Sequence, residues 1–181
     1  TVALAELSHG VSLVQMLQGV YLSVVLFLLV RYLWAFVRLR KAIAELDEAD
    51  GSAQGRLGNV CQEMNLSRPP RLLVTDSALA PLAAGMGDGF VIIPRTMTGE
   101  AQEEVLGVTL RHEVHHLANH DLLRSGLLQF VATLLWFHPL AWMLRRAHSL
   151  ALEELGDRVA AENTGTKRYS AILAELVLRL Q

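Results

Sequence analysis

Residues 11–37 form an apolar run whose centre, Val20 to Val30, contains nothing more polar than Tyr21 and Ser23. A helix needs roughly 20 mostly apolar residues to cross a bilayer, and this run is long enough. Its basic residues, Arg31, Arg38, Arg40 and Lys41, lie at its C-terminal end, with only Glu6 and His9 before it. A cleaved leader has its basic residues first and a shorter apolar core, so the pattern predicts a membrane anchor. Positive-inside bias then places the rest of the chain on the cytoplasmic side of the inner membrane. Ser12, Gln15, Gly19 and Ser23 share one face at helical spacing, which suits contact with other transmembrane helices. The chain opens on Thr1 and ends within an apolar helical pattern, so it reads as a segment of a longer protein. At 52% hydrophobic and 19% charged, the composition also asks for a membrane segment. The net charge of −2 gives no reason to expect a nucleic-acid partner, and the single Cys61 excludes an internal disulfide.

Beyond the anchor, the pattern predicts an α+β domain over 41–181, mostly helical with a small β-sheet. Asp50-Gly51-Ser52 reads as a helix end and a turn, and 56–65 as a short amphipathic helix. Residues 71–75 and 90–94 read as strands, with Leu82 to Gly85 and a glycine-rich turn, 85–89, between them. A helix signal begins at Thr98, with Glu100, Glu103 and Glu104 in its first turns, and runs to about Asn119. A second apolar run, 126–144, is broken at His138-Pro139. Further helices are expected over 153–162 and 169–180, joined by a loop at 163–166.

Residues 112–116 read His-Glu-Val-His-His, an H-E-x-x-H motif. Positions four apart share a helix face, so His112 and His116 can reach one ion. Glu113 beside them suits the general base of a zinc peptidase. Val105, Leu106, Val108, Leu110, Val114 and Leu117 support an amphipathic helix through the motif. Catalytic zinc normally takes three protein ligands and keeps one open position. Glu153 and Asp157, an E-x-x-x-D pair, offer the third ligand and an orienting partner for a ligating histidine. The same pair also suits a solvated helix face beside Arg158. His120 continues the histidine series, although one straight helix cannot wrap three ligands around a tetrahedral ion. Glu154 is a further alternative, with a less suitable spacing to Asp157.

If His116 and the 153–157 segment meet at one ion, the apolar run between them cannot cross the bilayer and leave its ends on opposite sides. It is flanked by Arg124 on one side and by Arg145 and Arg146 on the other. A buried core helix or a re-entrant hairpin bent at Pro139 satisfies that condition, and either puts the site close to the membrane.

The sequence resembles the BlaR/MecR-type antirepressor metallopeptidases. Pro81 to Gly85 with Phe90 to Pro94, His112 to His116 with His120-Asp121-Leu122-Leu123, Phe137-His138-Pro139-Leu140 with Trp142, Glu153 to Asp157, and Tyr169 to Leu178 carry the likeness. It implies a zincin-like fold of gluzincin type and one zinc per chain. The implied ligands are His112, His116 and Glu153, with Glu113 as catalytic base. Asp157 and Asp121 are implied to orient histidines, with Asp121 alternatively capping the helix. Leu82, Ala83 and Ala84 are implied as an edge for substrate backbone, with an ordinary buried strand as the alternative, and His138 as a transition-state contact, although a histidine in an apolar run is more often a satisfied core group; His115 reads as structural. The substrate would be a protein, either a cytoplasmic repressor or the peptidase itself, cut in regulated signalling. Further transmembrane helices are implied outside this segment. One departure stands out: Gly156 occupies a position where the family usually has a cysteine that is not a ligand. An HtpX-type quality-control protease shares both motifs, and a zinc-stabilised signalling scaffold is a non-enzymatic alternative that Glu113 argues against.

Overall fold

The computed structural model describes residues 12–77, 80–85, 89–99 and 102–179, without the side chains of 163 and 175–179. Val11, the middle of the glycine-rich turn (86–88), Glu100 and Leu180 fall outside that set. Helix α1, Leu13–Ala44, carries the apolar run and extends beyond it. Ser12 caps it by accepting from the Gln15 N–H, while the Gln15 side chain accepts from the Ser12 N–H. This reciprocal pair satisfies amides that a helix start otherwise leaves open.

The sheet has four strands in the order β1-β2-β4-β3, with β1 Asp47–Glu48, β2 Arg71–Thr75, β3 Leu82–Ala84 and β4 Phe90–Pro94. β2 and β4 run parallel, and the outer two strands are antiparallel to their neighbours. Helix α2, Gly51–Glu63, begins earlier than the sequence pattern suggested. Asp50, read above as part of a turn, caps it instead: its carboxylate accepts from the Ala53 N–H at 2.8 Å, the ordinary role of an aspartate before a helix. Leu57, Val60 and Cys61 of α2, Leu72 and Val74 of β2, and Val91 and Ile93 of β4 are buried in one core with Leu106, Leu110 and Val114.

The last three come from α3, Glu103–Ala118. It starts later than Thr98 because a 3₁₀ turn, Arg95–Met97, takes up the chain after β4. His120 adopts a left-handed backbone (φ 55°) and turns the chain into α4, Asp121–Leu134. Pro139 then occupies the first turn of α5, which runs unbroken to Thr164. Pro139 fits there because the first turn of a helix needs no donor. The expected separate helix at Glu153 is therefore the second half of α5; the change from apolar to polar residues at Arg145 alters what the helix faces, not its backbone. Gly165 (φ 82°) provides the break before α6, Thr166–Arg179, so the expected loop shrinks to that residue. α6 packs onto α3 and α5 through Val108, Ala160, Tyr169 and Ile172, and Arg168 pairs with Glu104.

Burial pushes the Cys61 thiol up from 9.0 to about 11, because a thiolate there would lose its hydration. Two results follow. In the native protein Cys61 should resist a disulfide-exchange reagent at pH 8 and react at once in denaturant. Over the window from about 9 to about 11 the folded state holds a proton that the unfolded chain releases, so stability falls as pH rises through it. Rapid native labelling would show that the α2–sheet core is open.

Candidate metal centre

α3 lies across the sheet with its core stripe inward, and that orientation places His112 and His116 toward α5 while burying Glu113 toward β3. The Nε2 atoms of His112 and His116 stand 3.2 Å apart, their rings edge to face. Each Nδ1 faces a carboxylate: Asp157 Oδ1 at 3.3 Å from His112, and Asp121 Oδ2 at 3.0 Å from His116. Those carboxylates hold the proton on Nδ1 of a neutral imidazole, which leaves two Nε2 lone pairs directed at one another. Burial is the main cause that lowers the pKa of His112, with the neighbouring His116 second, so the neutral form is favoured. Two facing lone pairs at that distance repel unless a cation lies between them. The spacing matches the roughly 3.3 Å between two nitrogens bound tetrahedrally to zinc at about 2.05 Å each.

α5 supplies the rest. Glu153 Oε2 lies 3.6 Å from His112 Nε2, and the donor atoms of His112, His116 and Glu153 all fall within 4.8 Å of one another. Glu153 is 62% exposed in its side chain, so the cluster opens to solvent on that side. Glu154 points elsewhere, pairing with Arg158 at 3.0 Å. His120 is exposed at the α3–α4 junction and, among the described residues, is not in the donor group. Gly156 lets the α5 backbone rest against both rings: a Cβ there would stand 2.9 Å from His112 Cε1 and 3.2 Å from His116 Cε1. A cysteine at this position would require His112 to shift.

Glu113 is buried, and loss of hydration pushes its carboxyl up to about 7, opposed by His116 and by the Ala83 N–H that donates to it. That amide belongs to β3, the outer strand of the sheet next to α3. Leu82, Ala83 and Ala84 therefore border the site with one strand edge unpaired in the sheet. Asp121 is buried, and among the described residues its second oxygen accepts no hydrogen bond and has Arg124 3.6 Å away. His115 lies on the other side of α3 against Asn119, and burial lowers its pKa.

His138 stands apart from the donor atoms. It caps the start of α5, and Glu153 lies 15 residues further along the same unbroken helix, about 22 Å at 1.5 Å per residue. It lines an apolar hollow with Leu128, Leu135 and Leu144, the setting of a histidine packed in an apolar run.

One residue with a role here had no visible signal in the sequence. The Tyr169 hydroxyl donates to Asp157 Oδ1 at 2.6 Å, and burial and Asp157 together raise its pKa. Tyr169 thus ties α6 to the carboxylate behind His112. Replacing it with phenylalanine should weaken metal affinity by about tenfold, the low end for an outer partner of a metal-binding histidine; unchanged affinity would reduce Tyr169 to a packing residue.

Two histidines on one helix, a carboxylate from another and a buried glutamate beside an edge strand make the architecture of a metallopeptidase. The chain belongs to the BlaR1 peptidase M56 family, whose model matches residues 5–179. Comparison with curated proteins finds no match. Family and N-terminal apolar helix together make this a membrane protein.

Proposed function

We propose that the chain is a membrane-anchored zinc endopeptidase that cuts a protein substrate on the cytoplasmic face of the inner membrane. The observation that carries this is the pair of Nε2 atoms facing one another at 3.2 Å, with Glu153 beside them and Glu113 behind. His112, His116 and Glu153 hold the metal, and Asp157 and Asp121 fix the two rings. Zinc bound there supplies a Lewis acid for the scissile carbonyl and lowers the pKa of water. Glu113 accepts a proton from the attacking water on its carboxylate and returns it to the leaving amine nitrogen. The Ala83 N–H and the buried setting hold that carboxylate in place. The free edge of β3 takes an extended substrate segment as an added strand, so the substrate is read through backbone as much as through side chains. The basic end of α1 supports the cytoplasmic placement. A repressor or a second copy of the chain, cut in regulated signalling, is the substrate that the family membership favours.

The test is metal-dependent proteolysis by the chain in lipid nanodiscs. One zinc per chain is expected by elemental analysis. Cleavage of an unfolded protein should stop when 1,10-phenanthroline strips the metal and return on adding zinc. Cleavage that persists in metal-free protein would overturn the reading, and a zinc-loaded chain that cuts neither unfolded protein nor its own copies would favour the scaffold.

A further inference from the structure

Helices α4 and α5 leave large apolar side chains on the outside. Leu127, Phe130, Phe137, Leu140, Met143 and Leu144 are all exposed, and no Asp, Glu, Lys or Arg occurs from Ser125 to Leu144. The pair is not a buried core helix.

The tip of this hairpin touches α1. The Tyr21 hydroxyl donates to the Leu134 carbonyl at 3.0 Å, and the Tyr21 and Phe137 rings lie edge to face at 6.3 Å. Along α1 the covered positions, Tyr21, Val24, Val25, Leu28 and Leu29, run from that contact toward Arg31. Arg31 is ten residues beyond Tyr21, and Arg124 is ten residues before Leu134. At 1.5 Å per residue both lie about 15 Å from the tip, half the thickness of a hydrocarbon core of about 30 Å. Arg145 lies six residues after Pro139, about 9 Å along α5, so its side chain is long enough to reach that level. Trp34, with the Arg38 guanidinium 4.8 Å from its ring centre, places an aromatic ring beside the basic end of α1, as at a membrane interface.

Four carbonyls at the turn are satisfied within the protein, while the buried Trp136 indole N–H has no partner among the described residues. The Leu134 carbonyl accepts from Tyr21, that of Leu135 from the His138 N–H, that of Trp136 from the Trp142 indole, and that of His138 from the Ala141 N–H. A turn on an aqueous surface can leave such carbonyls to solvent, whereas hydrocarbon demands that they be satisfied internally.

From this geometry we infer that α4 and the first turns of α5 form a re-entrant hairpin that enters the bilayer from the basic side of α1, turns at 135–138 near the midplane and returns, its outer face covered by lipid acyl chains. Tyr21 pins it there. Glu153 lies eight residues past Arg145, about 12 Å along α5, so the metal centre stands just above the membrane surface. The inference rests on α1 spanning the bilayer.

The test uses the unaltered chain in nanodiscs containing a phospholipid with a photoactivatable carbene in its acyl chain, followed by trypsin and mass spectrometry. Cleavage at Arg31, Arg71, Arg95, Arg124 and Arg145 isolates the α1 span (1–31), the sheet (72–95) and the hairpin (125–145). Label in 125–145 should approach that in 1–31 and exceed that in 72–95 by about tenfold, as immersion in hydrocarbon requires. Label in 1–31 with none in 125–145 would overturn the hairpin and leave the anchor standing, with protein covering that face instead. No label in 1–31 would remove the anchor and the hairpin with it. Nitroxide labels at Leu127→Cys and Phe137→Cys then read depth, with Phe137 about 10 Å the deeper; equal depth would mean that the hairpin lies flat.

Discussion

Changing Glu113 to glutamine is expected to abolish peptide hydrolysis while zinc stays at one per chain. Glutamine has nearly the same shape and can still sit against the Ala83 amide and the sheet, so α3 and its histidines need not move. What it loses is the ability to take a proton. Glu113 is buried, with its carboxyl pushed up to about 7, so it can both accept and release a proton at neutral pH, as a group that serves first as base and then as acid must. General acid–base groups contribute about 10²–10⁴ in rate. In the proposed mechanism Glu113 serves both steps, so the loss should reach the upper end. The checks are turnover of an unfolded substrate and elemental analysis on the same sample. Wild-type turnover in the zinc-loaded variant would remove Glu113 from the chemistry and require another group as the base.

The H-E-x-x-H motif was readable because its geometry is local: a turn of helix brings His112 to His116 whatever the rest of the chain does. The buried stripe of α3 was readable for the same reason. The carboxylates behind the rings were less so. Asp121 is near in sequence and its proximity to His116 follows from the left-handed turn at His120, which no local pattern announced. Glu153 and Asp157 come from a helix that must fold back along α3, and spacing alone left Glu154 and His120 open. Gly156 and Tyr169 were not legible as parts of the site, because their roles are contacts across helices: a backbone lying against two rings, and a hydroxyl reaching a carboxylate from α6. The errors in the fold have similar causes. Asp50 was read as part of a helix end and turn, and it begins a helix instead; the break read at His138-Pro139 is where α5 begins. The sequence left His138 open between a core group and a contact of the site, and only the unbroken length of α5 shows how far it lies from the metal donors.

Replacing Glu153 with alanine should cost more metal affinity than any change in the residues that hold the histidines. It removes a donor, whereas loss of Asp157 or Tyr169 only frees a ring that still carries its lone pair. Outer partners of metal-binding histidines are worth about 10–100-fold in affinity, and a donor of a three-ligand site should exceed that, at roughly a hundredfold to a thousandfold. The expected order of loss is Glu153→Ala, then Asp157→Ala, then Tyr169→Phe. Fold should be retained throughout, because Glu153 is mostly exposed and belongs to neither buried core. The measurement is zinc affinity by competition with a chromogenic chelator, with circular dichroism to verify the helices. His120→Ala is the internal comparison: it sits at an exposed junction and should leave affinity unchanged. If His120→Ala loses the metal and Glu153→Ala keeps it, the third donor has been assigned to the wrong helix. If every variant loses it equally, the cluster acts as a folding unit, and the distinction drawn here between holding the metal and holding the rings fails.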